Sequence, residues 1–160
     1  MYKIYLCTDD DKLAKSIAKI SDHAGVCRVG NLNELRDSGV VILSKVGNNH
    51  GRVPRGFVGV APEDDCVALK LLSESRVPAV TCGFSPTASL TVSAVGEQSA
   101  AVCLQRHIRT LGGRIIEEGD ITLKIAEGWD KTALMLWVAA ELLAESGDSP
   151  TLLFDIAAQK

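Results

Sequence analysis

The sequence has no apolar run of the roughly 18 residues or more that cross a bilayer. Its first residues, Met1-Tyr2-Lys3-Ile4, lead into a strand pattern and not into the charged-then-apolar layout of a signal peptide. A cytoplasmic chain with no membrane partner is therefore expected. An excess of positive charge is missing as well: 17 Lys and Arg stand against 20 Asp and Glu, a net charge of −3. That balance offers no field to nucleic acid or anionic lipid. No CxxC pair occurs, and the five cysteines (Cys7, Cys27, Cys66, Cys82, Cys103) are scattered and odd in number. Such spacing argues against a disulfide framework and a zinc site, and leaves reduced, mostly buried thiols as the expectation. No HExxH, nucleophile–base pair or Cys/His arrangement is present, so no catalytic residue and no metal ligand is assigned. There is no internal repeat and no low-complexity stretch.

What is present is a globular balance, 46% apolar with 23% charged over 160 residues, enough for one domain with a real core. Lys3 to Thr8 reads as a strand, and Leu13, Ile17 and Ile20 recur at helical spacing until Gly25. Val26–Val29 reads as a second strand and Asn33–Asp37 as a short helical turn. Val40–Leu43 is a continuous apolar run of the kind buried on both faces of a parallel sheet. The segment 47–56, with three glycines, two asparagines and a proline, is a loop. A further unit follows, with a strand at Phe57–Val60, a helix at Cys66–Ser75 and a strand at Val77–Thr81.

After Gly83 the period changes to strict alternation at Leu90, Val92 and Ala94 and again at Ile121, Leu123 and Ile125. Between them, Ala101 to Leu111, Gly112-Gly113 and Arg114 to Ile116 read as strand, turn, strand. Lys131 to about Glu145 is an apolar helix, and its burial could come from the sheet, from the tail (Leu152, Leu153, Phe154, Ile156) or from a second copy of the chain. One α/β domain over 1–160 results. A parallel βα part covers 1–83, antiparallel strands cover 84–126, and the closing helix and tail cover 127–160.

Four segments, in order, resemble the central ATP-binding domain of Mur ligases, the module of enzymes that add amino acids to peptidoglycan precursors and of folylpolyglutamate synthetases. Val41-Ile42-Leu43-Ser44-Lys45-Val46-Gly47-Asn48-Asn49-His50 is similar to the family's apolar strand and T-N-I-x-x-D-H. Val58 to Asp65, a helix, and Val77 to Gly83 look like its V-L-N-A-D-D, helix, V-I-T-F-G. The strands from Ala88 to Ile125 and the helix opening at Gly128-Trp129-Asp130 resemble its β extension and G-x-H-N-x-x-N helix. Leu6-Cys7-Thr8-Asp9-Asp10-Asp11-Lys12-Leu13 takes the place of its T-G-T-N-G-K-T phosphate loop, of which only the lysine remains.

The resemblance implies a mostly parallel, Rossmann-like or P-loop-like sheet flanked by helices, with an antiparallel extension in the C-terminal half. It also implies a ligand region at Lys12, Asn48, Asn49, His50 and Asp130. A working phosphate loop needs glycines to wrap backbone N–H groups around a phosphate and a hydroxyl after the lysine to hold Mg²⁺. Asp9, Asp10 and Asp11 instead set carboxylates that cap the helix and repel phosphate. ATP and Mg²⁺ are cofactors only if this altered site still binds them. Lys12 is expected to ion-pair with the neighbouring aspartates, and His50 to satisfy backbone groups of its loop.

The region between Gly25 and Val40 is too short for the family's strand with a Mg²⁺-binding glutamate. The expectation is a non-catalytic binding or assembly protein, self-associating through its final helix or joining another protein such as a separate ligase chain. The alternative is a small-molecule or nucleotide-binding domain using the 47–56 loop. Adjacent aspartates after the first strand also fit a phosphorelay receiver, but Ser44 or Lys45 stands where its phospho-acceptor would be. Arg106, His107, Arg109 and Arg114 form a basic cluster followed by Glu117, Glu118 and Asp120, which reads as a solvated mixed-charge face.

Overall fold

The computed structural model describes residues 2–21, 25–47, 51–125 and 128–145. Asn48, Asn49, His50 and the tail 146–160 therefore lie outside the described residues. The fold is α/β, built on an eight-stranded sheet. Six strands form its parallel part: β1 (Lys3–Cys7), β2 (Val26–Val29), β3 (Gly39–Leu43), β4 (Phe57–Pro62), β5 (Ala79–Cys82) and β6 (Leu90–Val95). Their order is β2-β1-β3-β4-β5-β6, and the sheet continues antiparallel through β7 (Ser99–Leu104) to β10 (Gly119–Lys124). A separate two-stranded ribbon pairs β8 (Ile108–Arg109) with β9 (Ile115–Ile116).

Side-chain alternation along the central strands divides the core in two. Ile4, Leu6, Val40, Ile42 and Val60 face one side, which is covered by α1 (Asp11–Ile20) and α3 (Lys131–Ala144). Tyr5, Cys7, Val41, Leu43 and Ala61 face the other, under α2 (Cys66–Ser75) and the buried loop residues Leu32, Leu35, Val46 and Val53. With helices on both faces, β3 is buried at every position, as its unbroken apolar run requires. Two glycines permit close approach: a Cβ at Gly39 would lie 2.5 Å from the Lys3 carbonyl oxygen, and one at Gly59 would overlap the Leu72 side chain.

Every residue of α3 from Ala133 to Ala144 is buried. The helix packs on β1, β3, β4, β5, β6 and α1, so a single chain supplies its burial. Full burial of each large side chain contributes about 1.5–3 kcal/mol. Among the described residues the sheet and α1 are thus the source of its burial, one of the three sources that the sequence allows. Among the described residues, no helix is long and apolar enough to cross a membrane.

Several boundaries differ from the sequence expectation: β4 runs on to Pro62, and β5 lies at Ala79–Cys82 and not at Val77–Thr81. The helical turn is a 3₁₀ turn at Leu32–Glu34, opened by a reciprocal capping box between Asn31 and Glu34 and ended where Leu35 takes an extended backbone. The single strand expected over Ala101–Leu111 breaks after Leu104, and Ile108–Arg109 leaves the main sheet for the ribbon. There the backbone N–H of Gln105 donates to Ser89 and that of Leu111 donates to Leu143 on α3, which redirects the chain.

Candidate functional site

Parallel strands ending side by side place their following loops at one edge, and β1, β3 and β4 end at Cys7, Leu43 and Pro62. A cavity of about 440 Å³ opens there. It is lined by Asp10, Lys12 and Ser16 from the start of α1, by Ser44 and Lys45 after β3, and by Asp64 and Asp65 after β4. Asp130 and Thr132 close it from the start of α3.

Among the described residues the three α-helices begin at this edge, and each is capped by an aspartate. Asp10 accepts from the backbone N–H groups of Lys12 at 3.0 Å and Leu13 at 3.2 Å. Asp65 accepts from Ala68 N–H at 3.1 Å, and Asp130 from Ala133 N–H at 2.8 Å. Free N–H groups at a helix start are what would bind an anion. Here carboxylates of the chain itself occupy part of that donor set at each of the three starts.

Lys45 ties these segments together. Its ammonium donates to Asp10 Oδ2 at 2.8 Å, its backbone N–H donates to Asp65 Oδ2 at 2.7 Å, and its carbonyl accepts from Asp9 N–H at 3.2 Å. Its backbone is left-handed, with φ of 50°. Such a conformation in a non-glycine residue persists where surrounding contacts over-determine it, as these three do. The Lys45 ammonium, followed by the Leu13 N–H, holds the Asp10 carboxyl below its usual range. Asp10 in turn raises Lys45, with weaker help from Asp130 and Asp64.

Of the residues expected in the ligand region, Lys12 and Asp130 both line this cavity; Asn48, Asn49 and His50 lie outside the described residues. Lys12 forms no ion pair with a described residue, contrary to expectation. The acidic triplet finds its cations elsewhere: Lys45 pairs with Asp10, and Arg28 pairs with Asp11 at 2.8 Å. The reason is geometric, since Asp10 turns its two oxygens to the α1 backbone and across to the β3 loop. Lys45 and Asp65 were missed as site residues, although each directly follows or lies just past an apolar strand, which is the one signal that could have found them.

Beside the cavity, Glu63 accepts from the Ser85 hydroxyl, from the Ser85 backbone N–H at 2.9 Å and from the Thr87 hydroxyl at 3.3 Å. The Ser85 hydroxyl and N–H hold its carboxyl below the usual range. The thiols divide differently from expectation: Cys7 and Cys82 are buried, Cys103 is half-buried, and Cys27 and Cys66 are exposed. Burial pushes Cys7 up to about 11 and Cys82 well up, so both are held as inert thiols. Among the described residues no group of three or more His, Cys, Asp or Glu is placed to hold a metal ion. Comparison with protein-family models and with curated proteins gives no match for this chain.

Proposed function

We propose that this protein is a binding module without nucleotide hydrolysis, resembling the Mur ligase central domain, with its ligand cavity at the carboxyl edge of the parallel sheet. The observation that carries this reading is Asp10. Its carboxylate sits on the first N–H groups of α1, where a phosphate would be cradled, and it also engages the Lys45 ammonium. The cavity holds four carboxylates, of Asp10, Asp64, Asp65 and Asp130, against two ammonium groups, of Lys12 and Lys45. That charge balance repels a polyphosphate.

Titration with ATP·Mg²⁺ by calorimetry and an assay of phosphate release test this reading. The expected outcome is no hydrolysis and no binding at micromolar concentration. Hydrolysis, or micromolar binding that Lys12→Ala abolishes, overturns it. The volume of about 440 Å³ supports a second reading, that the occupant is a small polar molecule lacking phosphate, since cavities of this size accommodate small ligands. A screen of neutral and cationic metabolites read by shifts in the amide signals of Lys12, Lys45 and Asp130 tests it; no compound shifting those signals counts against it.

A further inference from the structure

The amino-terminal edge of the same sheet carries a second cavity, of about 460 Å³. Its walls are the first residues of β4 and β5, the continuous segment from Arg106 to Leu111, and Leu143 near the end of α3. Val58, Val80, Ile108 and Leu143 are buried apolar side chains, and Leu111 packs against the same core. Arg106, His107 and Arg109 line the cavity with exposed side chains.

Neither arginine is paired with a carboxylate among the described residues. Glu117, Glu118 and Asp120, which with this cluster read from the sequence as a solvated mixed-charge face, do not line the cavity. Asp120 lies instead opposite Cys103 in the β10–β7 ladder. The nearby Glu145 carboxylate is engaged by the Thr110 hydroxyl at 2.8 Å. The apolar wall and the unpaired guanidinium groups therefore belong to one concavity.

We propose that this cavity binds a small amphipathic carboxylate, with its head group on Arg106 and Arg109 and its apolar tail against Val58, Val80, Ile108, Leu111 and Leu143. A guanidinium offers two parallel N–H donors that match a carboxylate, and an aliphatic tail removes apolar wall from water. Orientation follows from α3. Its carbonyl end, carrying partial negative charge, meets the cavity at Leu143 and repels an anion, so the tail lies there and the head lies at the arginines.

Isothermal titration of the full chain with decanoate tests the proposal, with decanol as the uncharged probe of the same tail and acetate as the head group alone. Decanoate is expected to bind with Kd below about 1 mM, and decanol and acetate each at least about tenfold more weakly. Replacing both arginines (R106Q together with R109Q), exposed positions whose exchange leaves the core intact, is expected to weaken decanoate at least about tenfold. Amide shifts on decanoate binding are expected at 79–80 and 106–111 and not at Lys12 or Lys45. No decanoate binding, equal binding of decanol, or an unchanged affinity in the double variant overturns the proposal. Because the two cavities share no lining residue, this result is independent of the ATP titration.

Discussion

The two ends of one sheet hold cavities of nearly equal size, about 440 Å³ at the carboxyl edge and about 460 Å³ at the amino edge, with opposite chemistry. Helix direction accounts for part of the contrast. At the carboxyl edge three helices begin, their N–H groups call for acceptors, and Asp10, Asp65 and Asp130 supply them. The amino-edge cavity meets the end of α3 and, among the described residues, no helix start; its wall is apolar and its charge comes from arginine side chains. Aspartates satisfy helix N–H groups at one edge, while the other presents arginines with no carboxylate partner among the described residues.

The largest effect is expected from breaking the strut between the two edges. Leu136→Ala in α3, at a fully buried position, should lower stability by about 2–5 kcal/mol in urea unfolding and weaken both sites together. Selective loss of one site would show that the edges do not share this support. A smaller, one-sided effect is expected of Asp65→Ala, which removes the acceptor for Ala68 and Lys45 N–H groups. It should cost about 0.5–2 kcal/mol and shift amide signals around Lys45, with decanoate affinity unchanged.

Acidification should act most gently and only at the carboxyl edge. Asp10 and Glu63 have folded-state pKa values below their ordinary values of 3.8 and 4.5. Each therefore stabilises the fold above its ordinary value, and that contribution is lost as pH falls through the folded value. The urea midpoint should hold steady down to about pH 5 and decline below about pH 4, with a shallower decline in Glu63→Gln. A decline setting in near neutrality would place its origin in other groups.

The parallel half was legible because its signals are local. The unbroken Val40–Leu43 run, the Leu13, Ile17 and Ile20 stripe and the shift to alternation at Leu90 each reflect burial read directly in residue order. The break after Leu104 was not legible, since it rests on backbone hydrogen bonds from Gln105 to Ser89 and from Leu111 to Leu143, 16 and 32 residues away from the donors. At the carboxyl edge, helix capping by the acidic triplet was legible from aspartates preceding Leu13, and Asp10 performs it. Its partner was not, because Lys45 is 35 residues away and reaches Asp10 only through the parallel pairing of β1 with β3. The amino-edge cavity escaped notice for the same kind of reason: charge order placed acids beside the arginines, whereas strand pairing directs Asp120 to β7.

The burial of α3 bears on how the chain acquires its fold during synthesis. Residues 131–144 cover Val40, Ile42 and Val60, which leave the ribosome long before them, and Tyr2 is hydrogen-bonded to Ala144. A nascent chain lacking this helix exposes one face of its central strands to water and to neighbouring chains. Covering of that face is thus deferred until nearly all of the described chain has emerged.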